Sequence, residues 1–247
     1  MLLNTEFINP YVCINPNYPN ITISNPKTKL LIDSGAFQDL YYRTTFEKAL
    51  LRQLELENKI GILSQKIVAY DKIKDANTTL ESNKFLADRR DELSPRKLVL
   101  MLQGKTTEEY INCFFSTLKY VENNDTIGIG GISQAGKNKR IRNILFDTIE
   151  SLQEYMLDYN LKNLHVFGIG NFKIITEINN TVSKNINLSF DTSSYEISSV
   201  MGKVFDLKNK TMIKVFEKED KFIKYHPCKL CIYNMLKIME LPEVIKD

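Results

Sequence analysis

Residues 30–38 have the sequence LLIDSGAFQ, in which a short apolar run ends at Asp33 and small residues follow. The same arrangement recurs in IVAYD at 67–71, LVLMLQG at 98–104, TIGIGGIS at 126–133, LHVFGIG at 164–170 and LSFDTSS at 188–194. Each apolar run has the length and composition of a buried strand. Segments with helical periodicity separate the blocks, and this alternation predicts an α/β fold with a parallel sheet.

The ends of these runs predict one rim of a (β/α) barrel, where barrel enzymes keep their chemistry. Seven or eight strands are predicted if residues 11–14 and 21–23 are included. The others are expected at 30–32, 67–70, 98–102, 126–129, 164–167 and 188–190. Helices are predicted at 46–58, 78–90, 106–120, 138–159 and 172–179. We assign residues 1–202 to the barrel and residues 203–247 to a small C-terminal appendix.

Composition sets limits on the class of protein. The chain has 247 residues, a net charge of +3 and four cysteines, too few for a disulfide framework. No apolar run is long enough to cross a membrane, and MLLNTEFINP at the start does not resemble a secretory signal. We therefore expect a cytoplasmic protein with reduced thiols.

The appendix is predicted to bind a metal. Residues 204–225 alternate β-favouring and polar residues, as in a hairpin, and lead into His226, Cys228 and Cys231. This spacing favours structural zinc over a redox-active thiol pair. Candidates for the fourth ligand are Cys13, Cys113, His165, Glu240, Glu243, a water molecule or a partner chain. Cys113 and His165 are more typical of core residues.

Three carboxylates follow predicted strands, at Asp33, Asp71 and Asp191. At one rim they would divide into an ionised nucleophile and a general acid or base with a raised pKa. As alternatives, Asp33 and Asp191 would cap helices and Asp71 would pair with Lys72.

The glycines and amide of the rim suit a flat heterocycle. Gln103 can both donate and accept, and Gly130 and Gly131 would expose backbone N–H groups to a ligand. The spacing does not match the dinucleotide fingerprint. Alternatively, these glycines only let the chain turn.

Basic residues follow the GGIS block and continue in the appendix. The first group is Lys137, Lys139, Arg140 and Arg142, and the appendix contributes Lys203, Lys208, Lys210, Lys214, Lys221, Lys224 and Lys229. Such a cluster beside the carboxylates of the predicted rim suits binding to the backbone of a nucleic acid. Alternatively, these residues form a solvated face of the protein, as most charged runs do.

Taken in order, these blocks resemble the tRNA-guanine transglycosylase superfamily from about residue 30 to residue 231. IDSGAFQ is similar to its DSGGFQ motif, YDKI to an FDE-type segment and LQG to a QGG-type segment. IGIGGIS is similar to its IGGLS-type block, LHVFGIG to its HLLGVG-type strand, and HPCKLC to its CxCxxC zinc segment.

The resemblance implies a modified TIM (β/α)8 barrel with a small zinc-binding appendix, and a base-exchange reaction. Asp191 would attack the anomeric carbon of a guanosine, and Asp33 would serve as general acid and base. Phe37 would stack on the base. The rest of the base pocket would comprise Ser34, Asp71, Gln103, Gly130, Gly131 and Gly168. Relatives often dimerise, so a homodimer is plausible.

The chain departs from the family pattern in its motifs and in its length. Ala36 replaces a glycine of DSGGFQ, His226 replaces the first zinc cysteine, and the family's downstream zinc histidine is absent. The chain is also short for a tRNA enzyme. We therefore expect the DNA-directed, phage-type branch, which inserts bases such as 7-cyano-7-deazaguanine. The alternatives are a minimal tRNA enzyme, a non-catalytic subunit, or a redox or metal-sensing module.

Overall fold

The computed structural model describes residues 2–3, 11–17, 22–23, 27–36, 44–191, 201–206, 208–209 and 211–215. Its strands are β1 (Leu2–Leu3), β2 (Tyr11–Ile14), β3 (Thr22–Ile23), β4 (Lys29–Ile32), β5 (Lys66–Val68), β6 (Lys97–Leu102), β7 (Thr126–Ile129), β8 (Asn163–Val166), β9 (Asn187–Phe190), β10 (Lys203–Asp206) and β11 (Thr211–Lys214). Its helices are α1 (Phe46–Ile60), α2 (Ala76–Ala87), α3 (Arg90–Leu93), α4 (Thr107–Thr117), α5 (Lys139–Asp158) and α6 (Phe172–Thr181).

Seven parallel strands form the central sheet, in the order β2-β4-β5-β6-β7-β8-β9. Neighbouring strands of a flat sheet lie about 4.8 Å apart, which would separate β2 from β9 by roughly 29 Å. However, Cys13 on β2 is close enough to Asp191, which directly follows β9, for the carboxylate to raise the pKa of its thiol. The sheet is therefore curled into a half-barrel, and the predicted α/β class with a parallel sheet is confirmed.

Helix α5 shows why the sequence places the helices outside the sheet. Leu145, Ile149, Leu152 and Met156 recur every three or four residues and are fully buried. They form one apolar face, which joins a core cluster with residues of β7 and β8. Asn138 caps the helix by accepting from the N–H groups of Arg140 and Ile141.

The buried core is unequally distributed around the half-barrel. Among the described residues, the largest cluster surrounds β7, β8 and helices α4 to α6. The cluster beside β2 and β4 contains only Ile14, Leu30, Ile32 and Leu56 as buried members.

A buried ion pair connects α3 to the start of β7. The side chain of Asp125 is 1% exposed and accepts from both terminal nitrogens of Arg90, at 2.9 and 2.7 Å. It also accepts from the backbone N–H groups of Leu98 and Glu122. The carboxylate is thus saturated with donors at the end of the sheet opposite the predicted site.

The remaining elements qualify the sequence prediction. β10 and β11 form the predicted antiparallel hairpin. The segment at 21–23 was predicted as a barrel strand, but β3 pairs with β1 outside the seven-stranded sheet. The single helix predicted at 78–90 is instead α2, beginning after its cap Asp75, and the short α3. Within the described parts of the chain, no helix is both long and apolar enough to span a membrane.

Candidate active site

Asp33 lies where β4 ends, and its backbone N–H continues the ladder to the carbonyl of Ile14 at 2.8 Å. Its Oδ1 accepts from the Ser34 N–H at 2.8 Å, and its Oδ2 accepts from Asn15 Nδ2 at 3.1 Å. Burial, then the charges of Asp71 and Asp191, raise the pKa of Asp33 from 3.8 to about 7. Near neutral pH this carboxyl therefore exists in both protonation states, as a general acid and base requires.

Asp71 lies beside Asp33 and is held by two side chains. Its Oδ1 accepts from Ser34 Oγ at 3.4 Å, and its Oδ2 accepts from Gln103 Nε2. Burial raises the pKa of Asp71 to about 6, against the opposing effect of these hydrogen bonds. The alternative of a surface pair with Lys72 is wrong, because Lys72 pairs with Asp75.

Gln103 is fully buried and connects two rim loops. Its Nε2 donates to Asp71, and its Oε1 accepts from the backbone N–H of Lys74 at 3.2 Å. This arrangement requires the glycines of the next loop. A Cβ on Gly130 would lie 2.5 Å from both Asp71 Oδ2 and Gln103 Nε2, and one on Gly131 would clash with Gln103 Oε1.

The structure corrects the expected role of Gly130. Its N–H was expected to face a ligand, but it donates to the Leu102 carbonyl at 3.2 Å. Its carbonyl accepts from the Tyr110 hydroxyl at 2.7 Å. Gly131 has a φ of 75°, and its N–H has no partner among the residues that the structure describes. Of the two glycines, Gly131 is the one able to donate to a ligand.

Asp191 is anchored through a single oxygen. Its Oδ1 accepts from the Gly168 N–H at 2.7 Å and lies 3.5 Å from His165 Nε2. Within the described part of the chain, the other oxygen of this 26% exposed side chain has no partner. Within the described residues, one oxygen is thus held in place and the other is left for a ligand.

His165 was predicted to be a core residue, and at 3% exposure it is buried. Its Nδ1 lies 2.8 Å from Ser189 Oγ, and the ring contacts Phe167 edge-on at 4.2 Å between centroids. Its Nε2 has no hydrogen bond within the usual distance and faces Asp191. In the Nε2–H tautomer the ring would direct an N–H group at the carboxylate. The imidazole therefore belongs to the site as well as to the core.

Cys13 and Asn15 complete the wall beside Asp33. Burial, then the charges of Asp191 and Asp33, raise the pKa of the Cys13 thiol well above its ordinary value, so the thiol is neutral. Asn15 directly follows the carboxyl end of β2, as Asp33 follows β4, whereas Cys13 lies within β2. The strand-end rule that singled out Asp33 would also have found Asn15.

The predicted basic residues are not equivalent. Lys137, Lys139 and Arg140 are exposed around the start of α5. Arg142 pairs with Glu177, so its charge is partly neutralised. Lys203 begins β10.

Several predicted site residues lie outside the described residues, namely Phe37, His226, Cys228 and Cys231. Among the side chains that are described, no group of three or more His, Cys, Asp or Glu residues is arranged to hold a metal. Cys113, one candidate for the fourth ligand, packs in the core as expected.

Comparison with known proteins adds no assignment. No protein-family model matches the chain, and no curated protein matches it. The geometry of the carboxylates and the sequence motifs therefore remain as the indications of function.

Proposed function

We propose that this chain is a transglycosylase that replaces guanine with a 7-deazaguanine base, such as 7-cyano-7-deazaguanine, in DNA. The main support for the proposal is that two carboxyls in different environments, Asp33 and Asp191, follow strands at the same rim of the sheet. Asp191 is anchored through one oxygen, whereas Asp33 has a pKa of about 7. Two acids in different environments are the arrangement needed for a nucleophile and a separate proton carrier.

In the first step, the available oxygen of Asp191 forms a bond to the anomeric carbon of the target nucleoside. The bond from that carbon to guanine N9 breaks, and its electron pair leaves with the base. Asp33 supplies the proton that guanine takes up. The Gly168 N–H, which donates to the other Asp191 oxygen, keeps the carboxylate directed at the sugar throughout.

In the second step, the incoming 7-deazaguanine gives its N9 proton to Asp33 and attacks the anomeric carbon. The ester bond to Asp191 breaks, and the carboxylate is restored. Two successive displacements at one carbon retain its configuration, and both carboxyls return to their starting states.

Recognition of the base would fall to Gln103, Asp71 and Gly131. Amide and carboxyl groups together offer donors and acceptors to the edge of a purine. A target nucleotide must be extruded from its stack to reach them, at a cost of roughly a few kcal/mol in duplex DNA.

The proposal includes two structural expectations from the sequence resemblance. The half-barrel would belong to a modified TIM (β/α)8 barrel, and the 203–247 appendix would hold structural zinc through His226, Cys228 and Cys231. Thiolate and imidazole ligands at this spacing suit Zn²⁺, which would organise the appendix and take no part in base exchange.

The direct test is incorporation of labelled guanine or 7-deazaguanine into DNA and, in parallel, into tRNA. We expect incorporation into DNA, and expect Asp191→Asn to abolish it along with any denaturation-resistant protein–DNA adduct. Asp147→Asn, a matched change at an exposed position of α5, should retain both. Labelling of tRNA alone would favour the minimal tRNA enzyme. No labelling of either, or full activity in Asp191→Asn, would favour a non-catalytic subunit or another nucleophile.

His165 provides a second test of the assignment of Asp191. His165→Phe removes the ring nitrogen that faces Asp191 and keeps an aromatic ring in the core. We expect kcat to fall about 10- to 100-fold with KM little changed, because the nucleophile loses its orientation. Partial recovery in His165→Gln, which restores a donor, would separate this role from simple packing. Equal activity in all three proteins would remove His165 from the mechanism.

A further inference from the structure

A cavity of about 410 Å³ opens beside the carboxylate site. It lies between the loops that follow β5, β6 and β7 and the first turns of α5. None of Asp33, Asp71 and Asp191 lines it. Gly131 and Tyr110 form the shared wall, since Tyr110 lines the cavity and also donates to the Gly130 carbonyl. The cavity is thus a neighbouring compartment that shares Gly131 with the proposed base pocket.

The floor of this cavity is apolar. Ile132 and Tyr110 are almost fully buried behind it, and the half-buried Ile141 and Ile144 present aliphatic surface. A floor of this kind favours the face of a ring over a hydrated ion.

The rim of the cavity is cationic, with Lys74, Lys105 and Arg140 around one opening. All three are exposed, and within the described residues none of them has a carboxylate partner. Their neighbours differ, because Lys72 and Arg142 both have such partners, Asp75 and Glu177 respectively.

The backbone of each rim residue is fixed although its charged end is not. Lys74 has a φ of 62°, and its N–H donates to Gln103 Oε1. The N–H of Lys105 donates to Glu109 Oε2 at 2.7 Å, and that of Arg140 donates to Asn138 Oδ1 at 3.0 Å. The positive end of α5 adds to the potential at the same opening. The site is therefore preorganised for an anion.

We infer that this cavity binds the nucleotide next to the exchanged guanosine, with its phosphodiester on the cationic rim and its base on the apolar floor. The inference rests on the proposed function, because it takes the neighbouring pocket to hold an extruded guanine. An isolated anion would not need the floor, and a neutral ring would not need the cations. Enzymes that extrude a base commonly hold the flanking nucleotides as well.

The inference is tested by binding, without any chemical step. Anisotropy of a labelled single-stranded DNA 12-mer with one central guanine would be followed from low to high salt. The Lys105→Gln/Arg140→Gln double variant should bind about 10- to 100-fold more weakly at low salt, and its log–log salt slope should be shallower by roughly 1.4. The matched control is Lys162→Gln, at an exposed position before β8 and so at the opposite rim, which should behave as wild type. An unchanged slope in the double variant would overturn the inference.

The apolar floor is tested with the same DNA made abasic on both sides of the guanine. We expect this change to weaken binding to wild type about tenfold but to have little effect on Ile144→Asn. Equal losses in both proteins would show that the cavity takes a phosphate alone, which would overturn the nucleotide assignment. If the wild-type protein binds DNA with all these properties but shows no base exchange, the proposed function is refuted and the cavity assignment stands.

Discussion

Because its pKa is raised in the folded state, Asp33 is expected to lower the free energy of unfolding once it is ionised. Between about pH 4 and 7 the folded chain retains a proton at Asp33 that the unfolded chain has lost, so stability falls as pH rises through that window. A change from 3.8 to about 7 corresponds to about 4 kcal/mol once the carboxyl is ionised in both states. Asp33→Asn removes the charge and should therefore stabilise the protein.

The size of this gain should depend on pH. At pH 5 we expect Asp33→Asn to gain about 2 kcal/mol, and at pH 8.5 about 4 kcal/mol. Urea unfolding at the two pH values measures the difference, which should move the midpoint by roughly 1 M more at pH 8.5 than at pH 5. The same variant should lose base exchange, since stability and function conflict at this position.

Two controls define the outcome. Asp147→Asn, on the exposed face of α5, should change stability by less than about 0.5 kcal/mol at either pH. The opposite sign is expected at Asp75, where hydrogen bonds from Thr78 and Lys72 lower the pKa to about 2, so that its contribution is lost in acid. A gain in Asp33→Asn that is independent of pH, or a loss at pH 8.5, would refute the reasoning.

Three further results are expected. Asp125→Asn should destabilise the protein by about 2 kcal/mol in urea unfolding, because charge-assisted hydrogen bonds to Arg90 are weakened although Arg90 keeps its ion pair with Glu122, and a loss below 1 kcal/mol would contradict this. Gly130→Ala should abolish base exchange, because the added methyl meets the adjacent carboxylate–amide pair. Gly61→Ala, where the new Cβ has open space, should remain active at a cost of about 1 kcal/mol. The purified protein should contain zinc by metal analysis and lose it in Cys228→Ser, and a metal-free wild type would contradict the appendix.

The central strands were predictable because each is a continuous apolar run, as a strand covered on both faces must be. Their starts were less predictable. β5 begins at Lys66 and β6 at Lys97, since a polar residue at the foot of a strand can pair in the ladder without being buried. The barrel strand predicted at 21–23 was wrong because two residues of favourable composition do not reveal which strand they pair with.

Convergence of Asp33, Asp71 and Asp191 followed from one rule, that parallel strands end at one rim. The rule did not predict that His165 and Cys13 belong to the site, because both lie inside strands, where successive side chains face opposite sides of the sheet. Which side faces the mouth depends on how the sheet curls, and this is a property of all seven strands. The role of Gly130 was missed for a similar reason, since its clash partners come from two other loops.

The unequal core has a consequence for motion around the mouth. Among the described residues, β2 and β4, which lead to Asn15 and Asp33, share a cluster of four buried side chains, whereas β8 belongs to the largest cluster. Amide hydrogens of the first wall should therefore exchange with deuterium well before those of the second. Asp33 would then follow a strand that opens readily, so that the proton carrier could move as one base leaves and another enters.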